Sequence, residues 1–239
     1  MYVLKFKSLK VKRKYLKINF SILKNIILLG IPSGLAQLTV MAVQIVMNNT
    51  LGYYGGKSIY GSEIPLACAG IVSKVSSVFN SIIMGISQSC QPIFGYNYGA
   101  KNYKRIKETF KTASIIVTII SISAFLLFQI FPVQILNIFG SGNRLYYEFG
   151  SEYLRIYMFC MFLNGVQILS SNFFPAIGKA KEGVFISLSR QAFLQLPLIV
   201  ILPLFLQING IMLTGPISDG FAGILSILVV GREMKRICV

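Results

Sequence analysis

The stretch Thr112-Ala-Ser-Ile-Ile-Val-Thr-Ile-Ile-Ser-Ile-Ser-Ala-Phe-Leu-Leu-Phe-Gln-Ile-Phe131 decides the fold class of this chain. It contains no charged residue. A block of about twenty apolar residues, coiled as an α-helix, is long enough to cross the hydrocarbon core of a bilayer. Strict alternation of apolar and polar residues, which is typical of membrane β-barrels, is absent from the sequence. The stretch therefore predicts a transmembrane helix.

Composition places the whole chain among integral membrane proteins. Apolar residues make up 54% of the 239 residues and charged residues 13%, whereas an ordinary soluble domain is about 25% charged. A soluble domain of this length would have too little polar surface to cover itself. We therefore expect an all-α membrane protein.

The chain offers little of what catalysis requires. It has no His, which removes the commonest general base and the commonest metal ligand. Its four cysteines include no CxxC pair, which favours packing roles over a disulfide or a metal site. Neither a Walker A sequence nor the residue set of an intramembrane hydrolase occurs. We predict no catalytic residue, no metal site, no cofactor and no enzyme activity.

Apolar blocks of similar length recur along the chain and predict six transmembrane helices. The segments between them contain Gly, Pro, Asn or charged residues, which interrupt helices. We place the spans at about 26–51, 64–94, 106–131, 150–174, 183–206 and 210–230. They form one lobe, 25–231, between a basic segment, 1–24, and a short tail, 232–239. The basic segment is either a linker or an amphipathic helix on the membrane surface.

Basic residues alternate between the segments that join the spans. The N-terminal segment, the second and fourth loops and the tail hold most of the Lys and Arg, whereas the other loops hold only Lys57 and Arg144. By the positive-inside rule, both termini are predicted to be cytoplasmic. The net charge of +16 is then explained by anionic lipid headgroups, and we expect no nucleic-acid partner.

Amide side chains recur inside several spans. Polar groups are costly in lipid, so they usually face a bundle interior or a water-filled cavity. A hydrogen bond between helices explains any single amide, but the set suggests a shared polar cavity. The candidates for its wall are Gln37, Gln44, Asn48, Gln88, Asn164, Gln167 and Gln191.

Arg190 and Asp219 form the clearest pair of opposite charges within neighbouring spans. Two interpretations stay open for them. One is a structural ion pair, and the other is a role in handling a proton or a substrate. Prolines in several spans, Pro203 and Pro216 among them, fit bent helices that could gate a cavity.

Several segments resemble the multidrug and toxic compound extrusion (MATE) family. The stretch Gly85-Ile-Ser-Gln-Ser-Cys-Gln-Pro-Ile-Phe-Gly-Tyr-Asn-Tyr-Gly-Ala100 is similar to the end of that family's eighth helix. Gly30-Ile-Pro-Ser-Gly34 resembles the start of the seventh helix, and Ser187-Leu-Ser-Arg-Gln191 resembles part of the tenth-to-eleventh helix region. Gly215-Pro-Ile-Ser-Asp219 fits the twelfth. The resemblance covers almost the whole chain and is closest to the bacterial multidrug-export branch.

The resemblance implies a fold and a function. MATE proteins have twelve helices in two six-helix lobes, and they exchange a drug for Na⁺ or H⁺. This chain resembles the second lobe only. The expected function is therefore the C-terminal half of a drug:Na⁺ or drug:H⁺ antiporter in a bacterial plasma membrane, not competent alone. The expected partners are membrane lipids, small cationic or amphipathic drugs, and either a missing N-terminal lobe or a second copy of the chain.

The resemblance supplies no cation ligand. In one branch of the family the coupling acid lies on the first helix, and in another branch acids lie on the seventh and tenth helices. We expect the matching spans to offer the amides Gln37, Gln44, Asn164 and Gln167 and no Asp or Glu. The coupling ion, Na⁺ or H⁺, is thus expected without an assigned site.

Two other functions stay open at this point. One is half of a lipid-linked oligosaccharide flippase, which needs cations in its cavity to hold a pyrophosphate; Lys74, Arg155 and Arg190 are the cations within spans. The other is a membrane scaffold or an inactive fragment.

Overall fold

The computed structural model describes residues 20–236, except for the side chains of 21–22 and 24–33. Within this range the chain is helical and has no strand, which confirms the predicted all-α class. The helices are α1 Phe20–Gly56, α2 Glu63–Gly99, α3 Tyr103–Ile130, α4 Pro132–Phe139, α5 Arg144–Tyr157, α6 Met161–Ala176, α7 Ala180–Leu188 and α8 Leu196–Arg236, with a π-helical segment Ser189–Gln195. Residues 1–19 of the predicted basic segment and residues 237–239 of the predicted tail lie outside the described residues.

The chain divides into two compact units, Met1–Leu35 and Ala36–Val239. Of the first unit, the structure describes only the start of α1. The second unit contains the remainder of α1 and all later elements. The site considered below lies in the second unit.

Short polar turns separate the long helices at positions that the sequence marks. The Asn102 side chain accepts a hydrogen bond from the Arg105 amide at 3.3 Å and caps α3. The Asn143 side chain accepts from the Tyr146 amide at 3.0 Å and caps α5. Asn is among the best residues at this position because its oxygen accepts from an amide that has no partner within the helix.

Within residues 20–236, three helical stretches are long and apolar enough to cross a membrane: Glu63–Gly99, Tyr103–Ile130 and Ala180–Arg236. A fourth is the pair Arg144–Tyr157 and Met161–Ala176, if this bent pair counts as one span. Glu63–Gly99 corresponds to the second predicted span, Tyr103–Ile130 to the third and the bent pair to the fourth. Ala180–Arg236 covers the fifth and sixth predicted spans, and α1 covers the first.

The stretch Ala180–Arg236 contains two passes. Gln207 has φ 50° and ψ −132°, far from helical values. A Cβ added at Gly210 would lie 2.6 Å from the carbonyl carbon and oxygen of Leu202. Residues eight apart in one straight helix are about 12 Å apart. The chain therefore turns back at Gln207, which separates the fifth and sixth predicted spans.

The fourth and fifth predicted spans are less regular than the sequence suggested. The predicted span 150–174 is two helices, α5 and α6, bent by 49° at a short break, and it begins earlier, at Arg144. The predicted span 183–206 contains the π-helical segment Ser189–Gln195. The predicted loop between 131 and 143 includes the short helix α4. Hydrophobicity alone locates a span but does not report breaks within it.

Three apolar clusters lie among the described residues of the second unit, and the third contains Ile83 and Leu169. The first includes Leu51, Cys68 and Phe149, which are all fully buried. The second includes Phe94 and Phe173, whose rings meet edge-on with centroids 5.0 Å apart. Cys68 lies inside the first cluster as a free thiol. Cys90 and Cys160 are also free thiols, and they lie outside that cluster.

Candidate functional site

The amides of α1 lie on its exposed side. Gln37, Gln44 and Asn48 share one helix face, and all three are exposed in the structure. Val43 and Leu51 of the same helix are buried in the core. One side of α1 therefore packs into the core of the lobe, while the side that carries the amides is exposed.

A polar stripe runs along α2 as well. Lys74, Ser77, Ser81 and Gln88 follow one another at helical spacing and are all exposed. The two serine hydroxyls donate to backbone carbonyls one turn earlier, at 2.8 and 2.7 Å. The Lys74 ammonium and the Gln88 amide keep their polar atoms at the surface. A transmembrane helix that exposes Lys74 and Gln88 faces water or protein, because lipid cannot satisfy these two groups.

Two of the candidate amides lie inside the lobe instead. Asn164 and Gln167 of α6 are buried, with exposed fractions of 4% and 5%. The Asn164 amide donates to the Asn80 side chain at 3.3 Å. The Gln167 amide donates to the Ile186 carbonyl at 3.5 Å. The structure thus uses both amides to join α6 to its neighbours.

Gln191 occupies an intermediate position. It is half-buried and belongs to the π-helical segment. Its side-chain oxygen is buried and has no hydrogen-bond partner among the described residues. π-Helical turns are frequent at functional sites. Gln191 therefore remains a predicted residue of the cavity wall, together with Gln37, Gln44, Asn48 and Gln88.

Arg190 and Asp219 form an ion pair inside the lobe. The Arg190 Nε atom lies 2.5 Å from Asp219 Oδ1, and the side chains are 21% and 8% exposed. Tyr157 is close enough to interact electrostatically with both, and its hydroxyl accepts a hydrogen bond from the Gln195 amide at 2.9 Å. The pair therefore belongs to a small polar network that joins α5, the π-helical segment and α8.

Three breaks in regular α-helix meet at this network. Tyr157 ends α5 just before the 49° bend, Arg190 lies in the π-helical segment, and Pro216 lies within α8 three residues before Asp219. A Cβ at Gly215 would lie 2.6 Å from the Tyr157 carbonyl oxygen. The backbones of α5 and α8 can approach this closely only because residue 215 is glycine.

Two acids on α5 were missed by the sequence analysis. Glu148 and Glu152 are one turn apart and exposed. Only amides were expected in the span that matches the tenth helix, and this expectation was wrong because Glu152 lies within it. Burial raises the pKa of Tyr60, and the neighbouring Glu148 and Glu152 carboxylates raise it further. These acids therefore lie near the loop between α1 and α2. The sequence signal for the two acids is a set of charged residues at intervals of three or four after the Asn143 cap: Arg144, Glu148, Glu152 and Arg155.

No group of three or more His, Cys, Asp or Glu side chains in residues 20–236 is arranged to hold a metal ion. Glu148 and Glu152 offer carboxylates without further such ligands nearby. They can attract a cation at the surface of the lobe.

Comparison with known proteins gives a consistent result. The MatE family model matches residues 32–201. The multidrug export protein MepA of Staphylococcus aureus (strain bovine RF122 / ET3-1) is 23% identical over 229 residues, which cover 96% of this chain and 49% of that protein. The chain thus spans about half the length of the curated relatives it matches.

Solved structures match over a similar range. The MATE multidrug transporter DinF-BH has a TM-score of 0.81 and 31% identity, covering 97% of this chain and 50% of its own. An outward-facing multidrug resistance MATE family transporter of the MOP superfamily has a TM-score of 0.83 at 18% identity, with coverage of 99% and 52%. The fold is therefore that of one half of these transporters.

Proposed function

Because the chain belongs to the MatE family, we propose that it is the C-terminal half of a cation-coupled multidrug exporter. MatE proteins are transporters, in agreement with the predicted lack of enzyme activity. The observation that carries the proposal is the exposed polar face of α1 and α2, which lipid cannot satisfy. This face is the wall that one lobe would contribute to a central path.

The chemistry of the face fits amphipathic organic cations. On α1, Gln37 and Gln44 alternate with Leu38, Met41 and Ile45, which are 62%, 55% and 60% exposed. Apolar walls with a few amide groups bind drug-sized molecules, and flexible Met side chains adapt to different shapes. Such a wall would hold drugs of several shapes without a single fixed set of hydrogen bonds.

Coupling to Na⁺ or H⁺ would need an acid that can reach water. Glu148 and Glu152 meet this condition because both are exposed on α5. Asp219 meets it less well because Arg190 already neutralises it. We therefore favour the two glutamates as the acids of this lobe that exchange a cation or a proton, with further acids supplied by the other lobe.

A second lobe would complete the path. It would be a preceding part of the same polypeptide, a separate polypeptide or a second copy of this chain. We place both termini of this chain on the cytoplasmic side of a bacterial plasma membrane. The exposed stripe Lys74, Ser77, Ser81 and Gln88 supports this requirement because it would otherwise face lipid.

The flippase alternative is less well supported. It requires several free cations in the cavity to bind a pyrophosphate. Arg190 is neutralised by Asp219, which leaves Lys74 on the polar stripe and Arg155 on α5 as exposed cations. Binding of a polyprenyl phosphate that the Lys74→Gln variant loses would favour the flippase.

Ethidium efflux tests the proposal. The chain would be expressed, alone or with a matching N-terminal half, in cells that lack their own drug pumps. We expect lower ethidium accumulation only when both halves are present, and we expect an uncoupler or Na⁺ removal to abolish the difference. Gradient-dependent efflux by the chain alone would support a second copy as the partner. No efflux with any N-terminal half would favour an inactive fragment or a scaffold.

A further inference from the structure

A cleft at one end of the lobe has no evident role in a central transport path. It lies between the start of α3 and the end of α8 and has a volume of about 460 Å³. Its lining consists of Lys104, Lys107, Glu108, Phe110, Lys111 and Met234. The cleft is therefore basic at its rim and has an apolar wall.

The three lysines of the cleft are available for a ligand. All three are exposed, and the ion pairs among residues 20–236 join other side chains, Lys179 to Glu233 and Arg190 to Asp219. Glu108 lines the same cleft, but its one negative charge is outnumbered by the three lysines, so the net charge of the cleft is positive. Lys104 and Lys111 are two helical turns apart, about 10 Å along the helix axis. This spread of charge suits a phosphate-bearing headgroup better than a single small anion.

The same face of α3 becomes apolar beyond the lysines. Ile115, Ile119, Ile122 and Leu126 continue the face at intervals of three or four residues. Their exposed fractions are 50%, 59%, 42% and 47%. The surface thus passes from a cluster of cations to a track of exposed branched side chains along one transmembrane helix.

This order of chemistry matches one kind of molecule. We propose that the cleft binds an anionic phospholipid, with its phosphate among Lys104, Lys107 and Lys111 and an acyl chain along Ile115 and Ile119. Phe110 and Met234 would contact the glycerol and the first carbons of the chain. A soluble phosphate would leave the apolar track unused, and a zwitterionic lipid would leave the cleft with excess positive charge.

A fluorescent reporter can test the proposal because the chain has no Trp. The Met234→Trp variant of the full chain places one indole in the cleft wall. It would be reconstituted in phosphatidylcholine vesicles with increasing fractions of phosphatidylglycerol, one of the two lipids carrying brominated acyl chains that quench the indole. We expect phosphatidylglycerol to occupy the cleft about tenfold more tightly than phosphatidylcholine, because each lysine beside an anionic headgroup contributes up to about fivefold.

Matched variants separate a defined site from general surface charge. Lys104→Gln, Lys107→Gln and Lys111→Gln combined should lower the preference to about onefold, whereas the three Lys→Arg changes should retain it. Lys181→Gln, Arg232→Gln and Arg236→Gln remove the same charge outside the cleft and should leave most of the preference. Unchanged quenching in vesicles of brominated phosphatidylcholine alone, with an unchanged far-UV circular dichroism spectrum, would show that each variant is folded.

Three results would overturn the proposal. The first is equal quenching by the two lipids in the reporter protein. The second is an equal loss of preference in both sets of glutamine variants, which would indicate surface potential alone. The third is complete release of quenching by soluble glycerol 3-phosphate, which would indicate a site for a soluble anion.

Discussion

The polar groups of this lobe occupy two regions with opposite environments. Around Arg190 and Asp219 the charges are enclosed and paired within the chain. Along α1 and α2, polar side chains that include Gln37, Gln44 and Gln88 are exposed among apolar ones. The first region satisfies its own polar groups, whereas the second needs water, a substrate or another protein. The comparison indicates which polar residues maintain the lobe and which are left for its function.

The largest effect is expected from breaking the enclosed ion pair. Asp219→Ala should lower the free energy of unfolding by about 3–5 kcal/mol, because Arg190 would remain inside the lobe without its partner. Unfolding in mixed micelles would measure the loss. The double variant Arg190→Met, Asp219→Leu should recover most of it, since no unpaired charge then remains. A loss below about 1 kcal/mol for Asp219→Ala would contradict the enclosed pair.

A smaller loss is expected at the contact between α5 and α8. Gly215→Ala places a methyl group 2.6 Å from the Tyr157 carbonyl oxygen, and the shift that follows should cost about 1–3 kcal/mol. Gly70 of α2 has no atom within 4 Å of an added Cβ, so Gly70→Ala should be neutral or slightly stabilising. Thermal unfolding of both variants would check the difference. Equal midpoints would show that the two helices do not approach so closely.

The buried amide of α6 should contribute less. Asn164→Leu removes the hydrogen bond to Asn80, and interhelical bonds of this kind contribute about 0.6 kcal/mol in membranes. The double variant with Asn80→Leu should lose little more than the single variant, because the two side chains act as a pair. Independent, additive losses measured by unfolding would contradict a shared hydrogen bond.

The exposed amides should affect stability least of all. Gln44→Ala and Gln88→Ala should change the free energy of unfolding by no more than about 0.5 kcal/mol, as expected for surface positions. In a complete transporter the same changes should reduce ethidium efflux several-fold if these amides line the drug path. Destabilisation as large as that of Asn164→Leu would assign them to packing instead.

Much of the fold could be predicted from the sequence. Apolar blocks located the helices, and Asn102 and Asn143 mark where two of them begin. The 49° bend after Tyr157 could not be predicted, because residues 157–161 contain no Pro or Gly that would mark a break.

The candidate site was only partly predictable. Helical spacing grouped Gln37, Gln44 and Asn48 correctly on one exposed face, but the same argument grouped Asn164 and Gln167, which the structure buries. Periodicity shows that residues share a face and does not show what that face contacts. Glu148 was missed because the span was assumed to begin at residue 150, whereas the amphipathic helix α5 begins at Arg144. Glu152 lies within the predicted span and was missed because only the amides of that span were considered.

The environment of α1 and α2 provides the most direct test of the central claim. Single cysteines at Gln44, Gln88 and Ile119, introduced into a chain with its own cysteines replaced by serine, would carry nitroxide labels in lipid vesicles. Relaxation by a water-soluble nickel complex and by oxygen would then be compared. We predict low oxygen accessibility at Gln44 and Gln88, because water or a second lobe covers them, and high oxygen accessibility at Ile119. Equally high oxygen accessibility at all three positions would place the polar face against lipid and would contradict the account.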